Sequence, residues 1–321
     1  MKASVVTPNY NGKKFLKTYF DSLNRNKDSV GEVILVDNGS TDGSIEFIKD
    51  YSKNLDFPVI MIRNVENLGF AKAVNQGILK SNYDYIFSLN NDTEVEKGAV
   101  KSLMDLISSD EYIFSVASKM LKFDNKNLID VAGDEYNILA WTKKTGENQP
   151  AENYDEIYEI FSSCAGAAMY NKAILNKIGL FDENFFAYME DVDLSYRAKI
   201  NGYKNLFCPD SVVYHIGSAT SGSRYNKFKV KLAARNNVWM VYKNFPVPQK
   251  ILNFIFLFLG FLIKYLFFVK KGFGKTYLEG LKEGLKTRNK IDKVKFNRKN
   301  TGNYFKIEWK LIVNTFKFLK K

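Results

Sequence analysis

The chain has 321 residues, and its 45% hydrophobic and 26% charged content is that of a folded globular protein of one large domain or two ordinary ones. Two cysteines, Cys164 and Cys208, are too few for a disulfide framework and lack metal-ligand spacing, which points to a reducing compartment. The net charge of +12 is local: residues 270–321 carry sixteen Lys and Arg against four Asp and Glu, so the remainder is neutral. That distribution excludes a basic nucleic-acid groove in the body and points the C-terminal region towards a polyanionic surface.

No secretory signal is expected ahead of the first apolar run, residues 3–7. Further β-rich runs follow at 32–37, 59–63 and 85–89, with helical patterns over 13–25, 43–53 and 69–80 between them. This alternation predicts a parallel sheet covered by helices, with ligands beyond the carboxyl ends of the strands. Those ends read Thr7-Pro8-Asn9-Tyr10-Asn11-Gly12, Asp37-Asn38-Gly39-Ser40, the stretch 64–69 with Asn67 and Gly69, and Asn90-Asn91-Asp92.

Residues 112–165 read as short strands and loops with an acidic patch at 152–159. Small residues at 164–168 lead to a helix near 171–178, and a loop over 179–188 leads to a helix that starts at Glu190-Asp191-Val192-Asp193 and runs to about 201. A strand pair is expected at 204–207 and 211–215, then a Gly/Ser-rich loop at 217–223 and a long helix over 224–244. Pro246 and Pro248 mark a boundary between a domain of residues 1–245 and a C-terminal region of 246–321.

The run 251–269 is long enough to just span a bilayer, but Asn253 and Lys264 interrupt it, and Lys264 could snorkel to an interface. A span would place the basic tail on the far side from the body, against the positive-inside tendency. A helix lying in the interface or re-entering it, with the tail on anionic lipid, is the expectation; a buried core helix is the bland alternative.

Five clusters carry chemistry, and each has a bland alternative. Tyr10 at a strand end can stack on a base, or simply close a turn. Asp37 can accept from the imide N–H of uracil or thymine, while Thr41 or Asp42 caps the following helix. Asp92 suits a divalent cation bridging two phosphates, although Asn-Asn-Asp is also a good turn. Glu190 and Asp191 sit where a helix dipole favours acids, and either could deprotonate a hydroxyl; Asp193 and Arg197 fit a structural i,i+4 ion pair. His215, the only histidine, is a ligand candidate or a satisfied structural residue.

In this order, these motifs with Asn67-Leu68-Gly69-Phe70-Ala71 and Asp191-x-Asp193-Leu194-x-x-Arg197 closely resemble the family 2 glycosyltransferases, especially their rhamnosyltransferase-like branch, over about residues 1–245. The resemblance implies an α/β GT-A fold, Rossmann-like with a mainly parallel central sheet flanked by helices; the apolar run and basic tail beyond it lead to the expectation of a C-terminal membrane-associated helical extension. It implies an inverting transfer from a nucleotide diphosphate sugar, dTDP-rhamnose or a UDP-hexose, to a cell-surface glycan; the membrane-seeking C-terminal region makes a polyprenyl-linked precursor a reasonable acceptor, and the supply of nucleotide sugars places the body on the cytoplasmic face of the membrane. The donor is expected against Thr7, Pro8, Asn9, Tyr10, Asp37, Asn67, Gly69, Asn90 and Asn91. Asp92 matches the metal-binding carboxylate of the family's Asp-x-Asp motif, whose first position here is Asn90. His215 matches a histidine that completes the site for Mg²⁺ or Mn²⁺, Asp191 matches the catalytic base, and Glu190 flanks it.

Processive relatives carry Gln-x-x-Arg-Trp beside the acceptor channel. Here the comparable residues are Arg235-Asn236-Asn237-Val238-Trp239, which implies one sugar added per encounter. A sugar nucleotidyltransferase is the nearest competitor, but the basic Gly-rich loop of such enzymes is absent after the first strand. A catalytically inactive scaffold is the other alternative, opposed by the intact Asp92, Asp191 and His215.

Overall fold

The computed structural model of the chain describes residues 1–216 and 225–319, so the stretch expected as a loop at 217–223 lies outside the described residues. The first ninety residues form β1 (Ala3–Asn9), α1 (Lys13–Asn24), β2 (Val30–Asn38), α2 (Ser44–Tyr51), β3 (Val59–Asn64), α3 (Phe70–Lys80) and β4 (Tyr85–Leu89). β1 lies between β2 and β4, parallel to both, and β3 extends the sheet beyond β2. Successive side chains of a strand point to opposite faces. Val5, Val33 and Leu35 therefore pack with Leu16, Tyr19 and Phe20 of α1, while Val6, Ile34 and Val36 pack with Ala71, Val74 and Ile78 of α3. Burial on both faces explains why these strands read as continuous apolar runs.

The chain continues as β5 (Thr93–Val95), α4 (Ala99–Ile107), β6 (Ile113–Lys122), β7 (Ile129–Val131), β8 (Asp134–Tyr136), β9 (Thr142–Lys144), β10 (Tyr158–Ile160), β11 (Ala167–Asn171), α5 (Lys172–Ile178), α6 (Glu190–Ile200), β12 (Lys204–His215) and α7 (Lys227–Asn244). The main sheet runs β10-β12-β6-β11-β4-β1-β2-β3. It is mixed, because β11 is antiparallel to both β4 and β6.

Three local expectations need correction. Residues 112–165 are less irregular than expected, since they include the ten-residue strand β6, nearly all buried. Helix α4 was not anticipated, although Ala99, Val100, Leu103, Met104 and Ile107 give it a clear apolar face. The strand pair at 204–207 and 211–215 is one strand. Cys208 opposes Ser118 and Val212 opposes Lys119, so residues 209–211 form a bulge around Pro209, which has no N–H to donate.

α6 is buried almost throughout, and its core is polar. Asp193, with no exposed surface, is 3.0 Å from Arg197 and 3.0 Å from Lys243 of α7, and accepts from Asn244 at 2.7 Å. Burial pushes its carboxyl up, but Arg197 and Lys243 outweigh this and hold it below its ordinary value. Arg197 also donates to the carbonyls of Ile178, Gly179 and Leu180, satisfying the end of α5 and the loop after it.

Four helices complete the chain: α8 (Val247–Leu252), α9 (Phe254–Lys270), α10 (Gly274–Thr287) and α11 (Thr301–Leu319). They share a core with the preceding residues, in which Tyr136, Tyr196 and Trp239 pack with Leu257, Tyr304 and Leu311. The apolar run 251–269 is divided at Asn253, whose side chain joins that of Gln249 in donating to Glu308 of α11 at 3.0 and 2.7 Å. Among the described residues, no helix is long and apolar enough to cross a membrane. α9 nevertheless leaves large apolar side chains uncovered, among them Phe254 and Ile255, each 67% exposed, and Leu266, 56% exposed.

Candidate functional site

The carboxyl ends of β1, β2 and β4 are tied together by amides. Asn9 donates to Asp37 at 2.8 Å and to Ser40 Oγ at 3.1 Å, and accepts from Asn91 at 2.6 Å. The second carboxylate oxygen of Asp37 accepts from the Ser40 N–H. Gly12 sits where any side chain would run into Asn91 and Asn9. Asn11 and Asp42 fasten the first two loops to one another: Asn11 accepts from the Thr41 N–H, and Asp42 accepts from the N–H groups of Lys13 and Ser44. Asp42 thus serves the first turns of both α1 and α2. Tyr10 stands out at the rim, 39% exposed, beside the half-buried Pro8. Thr7 is turned inward, with its hydroxyl paired to that of Tyr19.

The third strand end is bound to a later loop. Asn67 accepts from the Gly69 N–H at 3.0 Å, and Asn38 donates to the Gly69 carbonyl at 3.1 Å. Gly69 has φ +89, and Phe186 fills the space a side chain would need there, so both backbone conformation and close approach demand glycine. The first N–H groups of α3, from Phe70 and Ala71, donate to the Phe186 carbonyl at 2.6 and 3.2 Å.

Asp92 and His215 meet because β5 pairs with the end of β12, which sets His215 opposite Thr93. The His215 Nε2 is 3.5 Å from Asp92 Oδ1, and its Nδ1 is 2.7 Å from Asp130 Oδ2. The other oxygen of Asp130 pairs with Lys144 at 2.9 Å. Burial pushes the imidazole down, but the hydrogen bonds to Asp130 and Asp92 outweigh it and lift the pKa to about 9. Burial pushes Asp130 up, and His215 and Lys144 override it to hold that carboxyl at about 2.

Asp191 opens α6, where one of its oxygens accepts from the Val192 N–H at 2.8 Å. It is half-buried, and its carboxylate, the Asp134 carboxylate and the Cys164 sulfur lie within 4.8 Å of one another. Burial raises Asp191; burial and the Asp191 charge raise Asp134 well above the ordinary range; burial pushes the Cys164 thiol up. Glu190, beside them and buried, has one carboxyl oxygen without a hydrogen-bond partner, and burial and the Asp191 charge raise its pKa well above the ordinary range. The two clusters are joined: Asp134 opposes Lys144 across β8 and β9, and Lys144 holds Asp130. Gly166 lies between the side chains of Asn90 and Cys164 and accepts from the Asn90 N–H at 2.9 Å, which sets the β4 strand end beside the second cluster.

The loop ahead of Asp191 is strained. Phe186, Tyr188 and Met189 have φ of 66, 68 and 73°, a conformation that costs a non-glycine residue on the order of 1–3 kcal/mol. Asn236 of α7 holds it, donating to the carbonyls of Phe185, Ala187 and Tyr188 at 2.9, 2.9 and 2.8 Å. Arg235 reinforces it with longer bonds to the carbonyls of Asn184 and Phe185.

The structure therefore brings Asp92 and His215 into contact and links Asp191 to them through Asp134, Lys144 and Asp130. Sequence reasoning missed Asp130, Asp134, Lys144 and the role of Asn236. The available signal was a pair of aspartates flanking Val131-Ala132-Gly133, with Gly133 at φ +86 against Ile160. Both clusters carry donor atoms that a cation could use. Asp134, Cys164 and Asp191 bring two carboxylate oxygens and a sulfur within 4.8 Å of one another. Asp92 and His215 offer an oxygen and a nitrogen, with Asp130 on the far side of the ring to fix its orientation, the arrangement that supports metal-ligating histidines.

A model of the family "Glycosyl transferase family 2" matches residues 4–179. The N-acetylglucosaminyl-diphospho-decaprenol L-rhamnosyltransferase of Mycobacterium tuberculosis is 23% identical over 268 residues, covering 73% of this chain and 85% of that protein. The poly-beta-1,6-N-acetyl-D-glucosamine synthase of Staphylococcus aureus is 26% identical over 61% of this chain and 45% of its own length. In structure, the chain is similar to GalNAc-T7 with UDP, GalNAc and Mn²⁺ (TM-score 0.63, 21% identity, 75% of this chain and 47% of that one). It is also similar to the mannosyltransferase PcManGT of Pyrobaculum calidifontis with GDP-Man and Mn²⁺ (TM-score 0.57, 14% identity, 89% and 75%). These likenesses show the GT-A fold, a mixed sheet flanked by helices.

Proposed function

The chain belongs to glycosyltransferase family 2, whose members act on nucleotide sugars, and from that premise we propose an inverting, non-processive transfer to a polyprenyl-linked glycan precursor at a membrane surface. The observation that carries the reading is the continuity of the Asp92–His215–Asp130 and Asp134–Cys164–Asp191 clusters at the strand ends that Asn9, Asp37 and Asn91 hold together.

Asp37 and Tyr10 recognise the base, with Asn9 and Asn91 fixing the loops around it. Asp92 and His215 Nε2 would hold a divalent cation, with Asp130 orienting the imidazole. When bound, that ion would neutralise charge on the departing diphosphate. Asp191 accepts the proton of the acceptor hydroxyl as its oxygen bonds to the anomeric carbon and the bond to the diphosphate breaks on the opposite face. Burial, by raising Asp191, moves its pKa towards neutrality, where a general base is most effective. Burial and the Asp191 charge raise Asp134 and Glu190 as well, which disfavours further negative charge beside it.

The rhamnosyltransferase relative favours dTDP-rhamnose as donor, with UDP-hexoses as the other choice, and favours a diphospho-polyprenol acceptor. The exposed apolar side of α9 and the basic C-terminal residues support residues 246–321 as a membrane-associating region behind a catalytic region of 1–245, placed on the cytoplasmic face. A donor screen with purified protein and Mg²⁺ or Mn²⁺, reading the diphosphate released, tests this. One donor should give acceptor-dependent release that Asp191→Asn abolishes. Release unchanged in Asp191→Asn would remove the assigned base.

A further inference from the structure

A cleft of about 480 Å³ lies between α7, α9 and α10, away from the clusters described above. That volume is within the roughly 300–1,000 Å³ of ligand sites. Its walls are apolar: Val238 and Val241 from α7, Phe261, Leu262 and Tyr265 from α9, and Leu281 from α10. Phe258 and Leu285, which also line it, are 60% and 54% exposed, so the cleft opens onto the same uncovered apolar surface that α9 presents.

Cations gather around Tyr242, another lining residue. Lys293 lies 4.3 Å and Lys250 5.2 Å from the centre of its ring; Lys250 and Arg288 line the cleft, and Lys293 reaches Tyr242 from the adjoining crevice. Lys250 donates to the Tyr242 carbonyl and Arg288 to the Leu285 carbonyl; among the described residues none of the three cations makes an ion pair with a carboxylate. The nearby acid Glu283 is engaged by Lys231 and Arg235, and Asp292 lines a separate polar crevice that Lys293 also borders. An apolar slot with unpaired cations is complementary to a lipid that has a long hydrocarbon chain and a phosphate head.

We infer that this cleft seats the first isoprene units of the acceptor's polyprenyl chain, with its phosphate at Lys250, Arg288 and Lys293. The inference rests on the reading that the acceptor is lipid-linked. A polyprenyl acceptor is favoured over a bulk phospholipid because α7 carries both walls and catalytic support. Val238 and Val241 line the cleft, while Arg235 and Asn236, one turn earlier, hold the loop that leads to Asp191. A ligand seated here is therefore coupled to the place where the acceptor hydroxyl must arrive, which a bulk lipid does not require.

The test uses the full chain in detergent. A polyprenyl phosphate bearing a diazirine near its phosphate end should crosslink to α9 or α10, and unlabelled polyprenyl phosphate, but not phosphatidylglycerol, should displace it. Leu262→Trp and Leu281→Trp, which fill the cleft, should raise KM for the polyprenyl-linked acceptor about tenfold or more. They should leave kcat, and KM for an acceptor with a methyl group in place of the chain, unchanged. Lys250→Ala with Lys293→Ala should act in the same direction without altering core packing. Equal displacement by phosphatidylglycerol, or equal KM changes for both acceptors, would overturn the inference. If the lipid acceptor is turned over but its KM ignores every variant, the cleft assignment alone fails. If only chain-free glycans are turned over, with no preference for lipid, the proposed acceptor class itself fails.

Discussion

The two halves of the site are built on opposite electrostatic plans. The half at the ends of β1, β2, β3 and β4 is made mostly of neutral amides: Asn9, Asn11, Asn38, Asn67 and Asn91 bond to one another, to Asp37 or to backbone. The half made by β5, β7, β8, β12 and the start of α6 crowds Asp92, Asp130, Asp134, Glu190 and Asp191 around His215 and Lys144. A satisfied amide network fixes shape without holding charge, as recognition of a base requires. A crowded acidic cluster is held at an electrostatic cost that a cation or a transferred proton relieves.

The largest effect expected from breaking this contrast is at Asp191. Asp191→Asn keeps the shape of the side chain and removes the proposed base, so turnover should fall on the order of 10²–10⁴-fold while donor affinity is retained. Asn91→Ala, on the amide side, should instead act mainly on donor KM. Steady-state kinetics on both variants check this, and a kcat loss of equal size in Asn91→Ala would erase the distinction between the halves.

Next in size is Asp130. Its role is to hold the His215 ring, so Asp130→Asn should weaken activation by Mn²⁺ about 10–100-fold, the usual effect of losing such a supporting group. It should also lower the imidazole pKa, because the group that chiefly lifts it is gone. A Mn²⁺ titration of activity and an NMR titration of His215 measure the two effects separately. An unchanged Mn²⁺ dependence would dissociate Asp130 from the cation.

Asn236→Ala probes the link between the halves, since the loop it holds also receives the first N–H groups of α3 through the Phe186 carbonyl. Removing its donors leaves partly buried carbonyls unsatisfied, at about 1–3 kcal/mol, in a loop already strained at three residues. Thermal unfolding should register that cost, and kcat should fall more than donor KM rises.

Legibility in the sequence follows the same division. The amide half was readable because each strand end is a continuous run of residues, and strand-helix-strand alternation carries it to one edge. Asp92, Asp191 and His215 could be named from motifs, but Asp130 and Asp134 could not. Their partners are 85 and 57 residues away in sequence, brought close by the pairing of β12 with β5 and β6 and by a strained loop before α6. The apolar run 251–269 was visible as a length, whereas its division at Asn253 depends on Glu308 of α11, a contact no local pattern encodes. The bulge at 209–211 was hidden for a similar reason: residues 204–207 and 211–215 read as two strands until β6 is seen running past both.

The smallest effect, and the one most specific to the acidic half, concerns Glu190. Its folded-state pKa is raised by burial and by Asp191, so the fold favours the protonated form. The stability this group contributes is fully present below its unfolded pKa of about 4.3 and is lost as pH rises through the higher folded value. Over that window the wild type loses up to about 1.4 kcal/mol per pH unit through this one group. Glu190→Gln cannot ionise and escapes the loss. Its melting temperature, compared with wild type from pH 5 to pH 8, should rise relative to wild type as the pH increases. Groups held low, such as Asp130 and Asp193, behave oppositely, losing their contribution as pH falls through their folded values, but they are common to both proteins and cancel in the difference. Parallel melting curves across the range would mean that Glu190 is not held protonated. The acidic half would then be less strained than its geometry implies.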